Sequence, residues 1–152
     1  MLFDPLIRIK LSSLLFFAFF SFFSGDGYRC TVFFFAEIPC TESEEKELGG
    51  GLHRNVYYLD NCTWEVCQAI LKRYSGILYG DGVIRYGFGS HTVDDEIYMQ
   101  EYQTVSIYSK DLAKYEEVLA SLGYVKSKDC VLSWDVIDKD NVGECINVEA
   151  DD

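Results

Sequence analysis

The chain of 152 residues lacks an apolar run long enough to cross a membrane. Its longest uncharged, mostly apolar stretch is residues 11–23, shorter than the roughly 20 residues that a spanning helix needs. Arg8 and Lys10 precede this stretch and small residues follow it, an order typical of an export signal. We therefore expect residues 1–27 to be the signal peptide of a secreted or periplasmic protein, with no stable membrane anchoring after its removal. The alternative is a buried first segment of a cytoplasmic protein.

Basic residues are few, with 13 Lys and Arg against 25 Asp and Glu and a formal net charge of -12. A surface this negative repels phosphate backbones, so we expect no nucleic-acid binding, and it attracts cations or basic proteins. The acids cluster in a predicted loop at residues 41–51 and in a predicted tail at residues 138–152. The alternative reading of this charge is that it only keeps a small protein soluble.

Histidine is scarce, since His53 and His91 are the two in the chain. A Ser-His or Cys-His catalytic site would need one of them beside a nucleophile, and no local motif indicates this. Cys62 and Cys67 lie too far apart in sequence for the C-x-x-C loop of small metal carriers. The polar turn that follows His91 could hold a cation but needs none. We predict no catalytic residue, no metal ligand and no cofactor.

Cysteine, in contrast, is abundant. The six residues are Cys30, Cys40, Cys62, Cys67, Cys130 and Cys145. In an exported chain this even number predicts up to three disulfides, with Cys130–Cys145 the favoured pair, whereas in a reducing cytosol the same residues would be buried thiols. Asn61 begins an Asn-Cys-Thr acceptor pattern for glycosylation, which matters if Asn61 is exposed in a secreted protein.

Hydrophobic periodicity predicts one α+β domain over residues 28–152. Strand patterns occupy residues 31–38, 55–60, 77–88, 97–108 and 131–137. Helical patterns occupy residues 64–74 and 112–122, with Ser109 as the N-cap of the second. From residue 55 the order is β-α-β-β-α-β, which predicts a ferredoxin-like split βαβ sandwich with an extra N-terminal strand. Both helices should then cover one face of an antiparallel sheet.

The strand pattern of residues 97–108 has two different sides. Ile97, Met99, Val105 and Ile107 alternate with tyrosines and should meet the helices. The opposite side is either covered by the N-terminal strand and the acidic loop or open to a partner. Tyrosine suits an interface because its ring buries a large area while its hydroxyl stays hydrogen-bonded. Together with the neighbouring acids, the predicted partner-binding residues are Tyr98, Tyr102, Tyr108, Asp94, Asp95 and Glu96.

Three classes of function are compatible with these features. The leading one is a small non-enzymatic binding protein of the immunity or inhibitor type that engages a basic protein; the chain resembles bacterial immunity proteins in size and charge alone. The second is an exported hydrolase that uses carboxylates, which requires a concave pocket holding two acids with raised pKa values. The third is a disulfide-stabilised secreted structural or ligand-carrying module.

Overall fold

The computed structural model describes residues 7–10, 31–101, 104–127, 135, 137–140 and 142, and it shows an α+β fold. The described strands are β1 (Ile7–Lys10), β2 (Val32–Pro39), β3 (Arg54–Cys62), β4 (Arg85–Ser90), β5 (Asp95–Gln100) and β6 (Thr104–Tyr108). The described helices are α1 (Glu42–Glu47), α2 (Trp64–Arg73), α3 (Ser75–Gly80) and α4 (Ala113–Ser121). Apart from β1, the predicted signal peptide lies outside these residues.

All described strand pairs are antiparallel, and the strands are ordered β1-β6-β5-β4-β2-β3 across one sheet. Strands β4, β5 and β6 form a meander in chain order. Strand β2 lies between β3 and β4, so β3 and β4 point in the same direction and the connection through α2 and α3 crosses over β2. The core strands β2 to β6 are rich in aromatic and β-branched residues, which favour extended backbone.

The acidic segment after β2 forms a short helix. Thr41 caps α1, because its hydroxyl accepts from the Glu44 amide while the Glu44 carboxylate accepts from the Thr41 amide at 2.7 Å. Gly49 and Gly50 follow with φ of 91° and 82°, left-handed values that glycine adopts without a steric penalty and that end the helix. The predicted acidic loop at residues 41–51 is therefore one capped helix followed by a glycine turn.

The hydrophobic core lies on one face of the sheet. Alternate residues of the central strands face it, as Phe88 and Ile97 show by pairing with each other and being fully buried. The strand members of this core are Val32, Phe34, Ala36, Cys62, Tyr86, Phe88, Ile97, Met99, Val105 and Ile107. The same core contains helix side chains Trp64, Cys67, Leu71, Leu78, Tyr115 and Leu119. Each large apolar side chain buried here contributes roughly 1.5–3 kcal/mol.

The predictions of helices at residues 64–74 and 112–122 are confirmed by α2 and α4. Ser109, however, is not the N-cap of α4, since Leu112 holds that position. The Ser109 hydroxyl instead donates to the Asp95 carboxylate at 2.5 Å. The prediction used only the preference of serine for N-cap positions. It was wrong because the Ser109 hydroxyl lies within reach of the buried Asp95 carboxylate, with which it forms a stronger, charge-assisted hydrogen bond.

Residues 97–108 form two strands rather than the single strand predicted. The chain turns between Gln100 and Thr104, where the Thr104 hydroxyl donates to the Glu101 carbonyl at 3.1 Å. The register pairs Ile97 with Ile107 and Met99 with Val105, so the odd-numbered residues share one face on both strands. The predicted separation of the apolar residues from Tyr98 and Tyr108 is therefore correct, although the turn was missed.

Residues 77–88 begin as a helix and not as a strand. Helix α3 continues to Gly80, after which the Asp81 carboxylate accepts from the amides of Val83 and Ile84 at 2.8 and 3.0 Å. This aspartate turn reverses the chain into β4. The additional helix and strand mean that the finer, ferredoxin-like order β-α-β-β-α-β is not confirmed. Its last strand, residues 131–137, lies for the most part outside the described residues.

A buried carboxylate links β5 to α4. Asp95 is 3% exposed, and its oxygens accept from Ser109, from the Tyr115 hydroxyl at 2.9 Å, and from Lys114 in an ion pair. Lys114 and Tyr115 both belong to α4 and Ser109 precedes it. A desolvated charge is stable only when it is paired and hydrogen-bonded, so this network fixes where α4 sits on the sheet.

Replacing this carboxylate should destabilise the whole domain. We expect Asp95→Ala to lower the free energy of unfolding by about 3 kcal/mol, because it leaves Lys114 and Tyr115 without this partner. Urea unfolding followed by circular dichroism measures the change. Glu117→Ala, on the exposed side of α4, is the control and should stay within about 0.5 kcal/mol of the parent. Equal unfolding midpoints for Asp95→Ala and the parent would contradict the role given to this network.

Candidate functional site

The sheet face opposite the core is shaped by two glycines of β4. Gly87 and Gly89 alternate with the core residues Tyr86 and Phe88, so they lie on the other face. A Cβ atom at Gly87 would lie 2.5 Å from the Phe35 ring, closer than real Cβ atoms approach. Because glycine has no side chain, aromatic rings of β2 have room to lie across β4.

Those rings form a continuous row. Phe33 stacks with Phe35 at a centroid distance of 6.4 Å, with Tyr58 of β3 at 6.1 Å and with His91 of the β4–β5 turn at 4.7 Å. Phe35 contacts Tyr98 of β5 at 5.4 Å. We call this row the aromatic face, and its members are Phe33, Phe35, Tyr58, His91 and Tyr98. Offset aromatic pairs at these distances contribute about 0.5–1.5 kcal/mol beyond the area that they bury.

A concavity of about 450 Å³ opens beside the aromatic face. Its lining residues are Phe33, Ser90, His91, Asp94, Asp95, Glu96, Tyr98 and Tyr108. They come together because the β4–β5 turn folds back on the sheet, with Asp94 at φ 54° in the left-handed region that aspartate tolerates. The concavity is thus built from aromatic rings and carboxylates.

Five of the six predicted partner-binding residues line this concavity. Tyr98, Tyr108, Asp94 and Glu96 lie in it, as does Asp95, whose carboxylate is engaged with α4. Tyr102 lies outside the described residues. Of the two predicted coverings, the N-terminal strand (residues 31–38) is β2, which lies within the sheet between β3 and β4 and not over its face. Helix α1, formed by the acidic segment, bonds through Glu44 and Glu45 to Asn55 and His53 beside the β2–β3 turn.

The acids of the concavity lie in different environments. Burial raises the pKa of Glu96. Asp94 is exposed and forms an ion pair with Lys110. His91 bridges towards β3, with its Nε2 atom 3.4 Å from the Tyr58 hydroxyl and 3.5 Å from the Asp60 carboxylate. Burial also raises the pKa of Tyr98, so its hydroxyl keeps its proton at neutral pH and can donate a hydrogen bond.

At the other end of the same face, two arginines share one carboxylate. The Glu101 Oε1 atom lies 2.5 Å from Arg54 and 2.8 Å from Arg85. Arg54 also donates to the Val83 carbonyl at 2.7 Å, and Arg85 lies 3.5 Å from the Glu37 carboxylate. These contacts tie β3, β2 and β4 to the end of β5 and neutralise the local charge. At the concavity, Asp94 is paired with Lys110 and Asp95 with Lys114, so Glu96 is the acid there for which the described residues show no ion pair.

Among the described cysteines, Cys40, Cys62 and Cys67 are free thiols. Cys62 donates to the Val32 carbonyl at 3.2 Å, and burial raises the pKa of Cys67 to about 12. Both thiols therefore stay protonated and serve as core residues. Disulfides are not confirmed for these three, while Cys30, Cys130 and Cys145, including the favoured pair, lie outside the described residues.

Other predicted features can be placed only in part. Asn61 is exposed at the end of β3 with φ 52°, so the first condition for its glycosylation is met. In the described part of the chain, no group of three His, Cys, Asp or Glu residues is arranged to hold a metal ion. No helix within the described ranges is long and apolar enough to span a bilayer.

Comparisons with protein-family profiles, curated proteins and solved structures return no match for this chain.

Sequence reasoning missed the β2 side of the site. Phe33, Phe35 and Tyr58 carry most of the aromatic face, yet the pattern of residues 31–38 was interpreted only as a buried strand. The signal that could have identified them is the alternation in β4, where Gly87 and Gly89 occupy one side of a strand with large residues on the other. Paired glycines of this kind indicate that a neighbouring strand sends large rings across them.

Adding a methyl group under these rings should destabilise the protein. In Gly89→Ala the new Cβ would overlap the Asp95 carbonyl oxygen and lie 2.7 Å from the Phe33 ring. We expect a loss of about 1–3 kcal/mol in the free energy of unfolding, the usual cost of overpacking. Gly76→Ala is the matched control, because open space surrounds Gly76 and it lies in α3. That control should be neutral or stabilising by up to about 1 kcal/mol. A Gly89→Ala variant as stable as the parent would contradict the close approach of Asp95 and Phe33 to Gly89.

The raised pKa of Glu96 makes a specific contribution to the pH dependence of stability. Between the unfolded value of about 4.3 and the higher folded value, the folded chain holds this proton more tightly, so stability falls as pH rises through that window. Glu96→Gln removes this contribution. In urea unfolding, the difference in stability between Glu96→Gln and the parent should increase in favour of the variant from pH 4 to pH 7. A difference that is constant with pH, or that decreases, would contradict the burial of an ionised Glu96.

Proposed function

We propose that this protein is a small acidic, non-enzymatic binding protein that engages a basic protein partner through the concavity and the aromatic face. The observation that carries the proposal is the composition of the concavity, which combines aromatic rings with carboxylates on one sheet face. Such a site is complementary to arginine or lysine side chains that project from a partner.

The chemistry of the concavity suits a cationic side chain in two ways. The rings of Tyr98 and Tyr108 offer a negative π surface, on which a guanidinium group gains about 0.5–2 kcal/mol. The Glu96 and Asp94 carboxylates can accept charge-assisted hydrogen bonds from the same group. Because Glu96 is partly desolvated, an arriving cation both neutralises it and replaces the lost hydration.

The rest of the chain supports the encounter with such a partner. A net charge of -12 creates a long-range field that steers a basic protein towards the surface and raises the association rate. This field is screened over about 10 Å at 0.1 M salt, so association should slow as salt is added. Tight binding then depends on the aromatic anchors, which bury area with little loss of side-chain entropy.

The proposal includes an immunity or inhibitor role, in which the bound partner is blocked, and it includes export. Cleavage after residue 27 would remove β1, which is an edge strand, and would leave β2 to β6 with every residue of the concavity.

The split βαβ part of the predicted fold also belongs to this proposal. The crossover from β3 to β4 through α2 and α3, with β2 between them, is the portion of the structure compatible with it.

A carboxylate hydrolase is the second candidate, and the raised pKa of Glu96 in a concave site favours it. General acid catalysis uses a carboxyl group of this kind beside a second, ionised one. The discriminating measurement is turnover of ester and glycoside substrates by the parent and by Glu96→Gln. Equal rates in the two proteins would remove this candidate.

The binding proposal predicts a localised response to a cationic peptide. We would titrate the 15N-labelled protein with an arginine-rich peptide at low and high salt and follow the amide shifts by NMR. The shifts should concentrate on Asp94, Glu96, Tyr98 and Tyr108 and weaken as salt increases. Tyr98→Ala should weaken the affinity about fivefold or more, the effect of losing an interface anchor.

Glu117→Gln is the matched control, since it removes one exposed negative charge outside the concavity. It should change the affinity only slightly, as expected for a screened surface charge. Shifts spread evenly over the acidic surface, or equal effects of Tyr98→Ala and Glu117→Gln, would mean that net charge alone attracts the peptide. Either result would overturn the assigned site.

A further inference from the structure

Glu96 differs from the other two acids of the concavity, because no counter-ion lies beside it in the described part of the chain. Asp94 forms an ion pair with Lys110. Asp95 is buried and is paired with Lys114. The half-buried Glu96 carboxylate has neither a hydrogen bond nor an ion pair with any described residue. Both of its oxygens are therefore available to a ligand.

The strand register places Glu96 between two aromatic residues on the sheet face opposite the core. Glu96 pairs with Tyr108 of β6 on one side and with Gly89 of β4 on the other. A Cβ atom at Gly89 would lie 2.7 Å from the Phe33 ring and 3.0 Å from the Glu96 Cα atom, so this ring reaches across β4 to Glu96. Rings on both sides limit the access of water to the carboxyl group, and this burial raises its pKa.

The shape and hydration of a cation decide how well it fits this setting. A guanidinium or amidinium group can donate two parallel hydrogen bonds to the two oxygens of one carboxylate. Such a planar group is weakly hydrated and stacks on aromatic rings, whereas an ammonium group is compact and strongly hydrated. The volume of about 450 Å³ lies in the range of small-ligand sites. The concavity therefore has room for a planar cation together with the apolar stem that carries it.

We infer that Glu96 is the counter-ion of one planar cation, a guanidinium or amidinium group, in the concavity, and that its carboxyl group releases a proton to solvent when this cation binds. The inference rests on the site of the proposed function and deepens that proposal, since it names arginine rather than lysine as the side chain that a basic partner inserts. A free guanidine or amidine would make the same contacts.

Proton release makes the affinity for the cation depend on pH. The folded protein holds the Glu96 proton up to a higher pH than an exposed glutamate does, and the cation binds the ionised form. Below the folded pKa, binding must first remove this proton, so the affinity rises with pH by up to about tenfold per pH unit. Above the folded pKa the carboxyl group is already ionised, and the affinity no longer depends on it.

Other titratable and charged groups surround Glu96. They are Tyr58 and Asp60 of β3, His91 and Asp94 of the β4–β5 turn, Asp95 and Tyr98 of β5, Tyr108 of β6, and the lysines Lys110 and Lys114. Phenols and lysines ordinarily keep their protons below about pH 9. Histidine side chains ordinarily change charge in mildly acidic solution, so His91 needs its own control.

Three small probes of similar size separate charge from shape. Benzamidine carries a planar cation, benzylamine carries a compact ammonium group on the same ring, and benzamide is planar but neutral. We would titrate each into the 15N-labelled full chain and obtain Kd from the amide shifts of Glu96, Tyr98 and Tyr108. Benzamidine should bind about threefold or more tightly than benzylamine. Its affinity should rise about threefold or more from about pH 5 to about pH 7, whereas that of benzamide should stay constant.

Three results with the parent protein would each overturn the inference. They are equal affinities for benzamidine and benzylamine, benzamidine binding that does not change with pH, and no benzamidine binding at the concavity.

Glu96→Gln tests the assigned group, because it keeps the size of the side chain and removes its charge. The variant should lose both the preference for benzamidine over benzamide and the pH dependence. Glu117→Gln, which removes an exposed charge outside the concavity, is the matched control and should behave like the parent. The pH dependence should persist in His91→Gln. Its disappearance there would assign the released proton to His91 and contradict the inference.

The arginine-rich peptide distinguishes failure of this inference from failure of the proposed function. Binding of the peptide at the concavity without binding of benzamidine would overturn the inference and leave the proposed function standing. Benzamidine binding that depends on pH and on Glu96, without binding of the peptide, would support the inference and contradict the engagement of a basic protein.

Discussion

The alternation of large residues and glycine along β4 is the constraint on which both faces of this sheet depend. Tyr86 and Phe88 fill the core, while Gly87 and Gly89 place no side chain on the opposite face and leave space there for neighbouring rings. Without that space, Phe33 and Phe35 could not lie across β4, and the row that reaches Tyr98 and His91 would be interrupted. Because side chains alternate along a strand, a slip of one residue would exchange the two faces.

The two faces therefore have different physical roles. The core face joins sheet and helices through apolar contacts and through the Asp95 network, in which the carboxylate is fully paired. The outer face holds its charges at two ends, with Arg54 and Arg85 paired with Glu101 at one end and with Glu96 and the Asp94–Lys110 pair at the concavity. A site of this kind needs no moving part, because strands and a tight turn hold its side chains in place.

Much of the fold could be predicted from local patterns. The helical spacing of α2 and α4 and the two sides of β5 and β6 are properties of short segments, which periodicity reports directly. The turn between Gln100 and Thr104 was not visible, because the odd-numbered residues of β5 and of β6 lie on the same face and the period-2 pattern therefore continues from one strand to the next. A strand was predicted to begin at residue 77, where the structure has helix α3 and β4 begins at Arg85. A short apolar run such as Ile77–Leu78 is compatible with a helix as well as with a strand.

The site was predictable from one side only. Tyrosines and acids near β5 were recognised because they are close in sequence, and five of the six line the concavity. Phe33 and Phe35 come from β2, which reaches β4 only through long-range pairing, and Tyr58 comes from β3, which pairs with β2. Strand order is not encoded in any single segment, so the partners of Gly87 and Gly89 became known only when β2 was placed beside β4.

The close approach of the Phe33 and Phe35 rings to the β4 glycines can be measured directly by NMR. We expect strong nuclear Overhauser contacts from these rings to the α protons of Gly89 and Gly87, with those protons shifted upfield by the ring currents. Contacts from Phe34 to the glycine α protons instead would mean that the faces are exchanged. The aromatic face, and the binding role assigned to it, would then be contradicted.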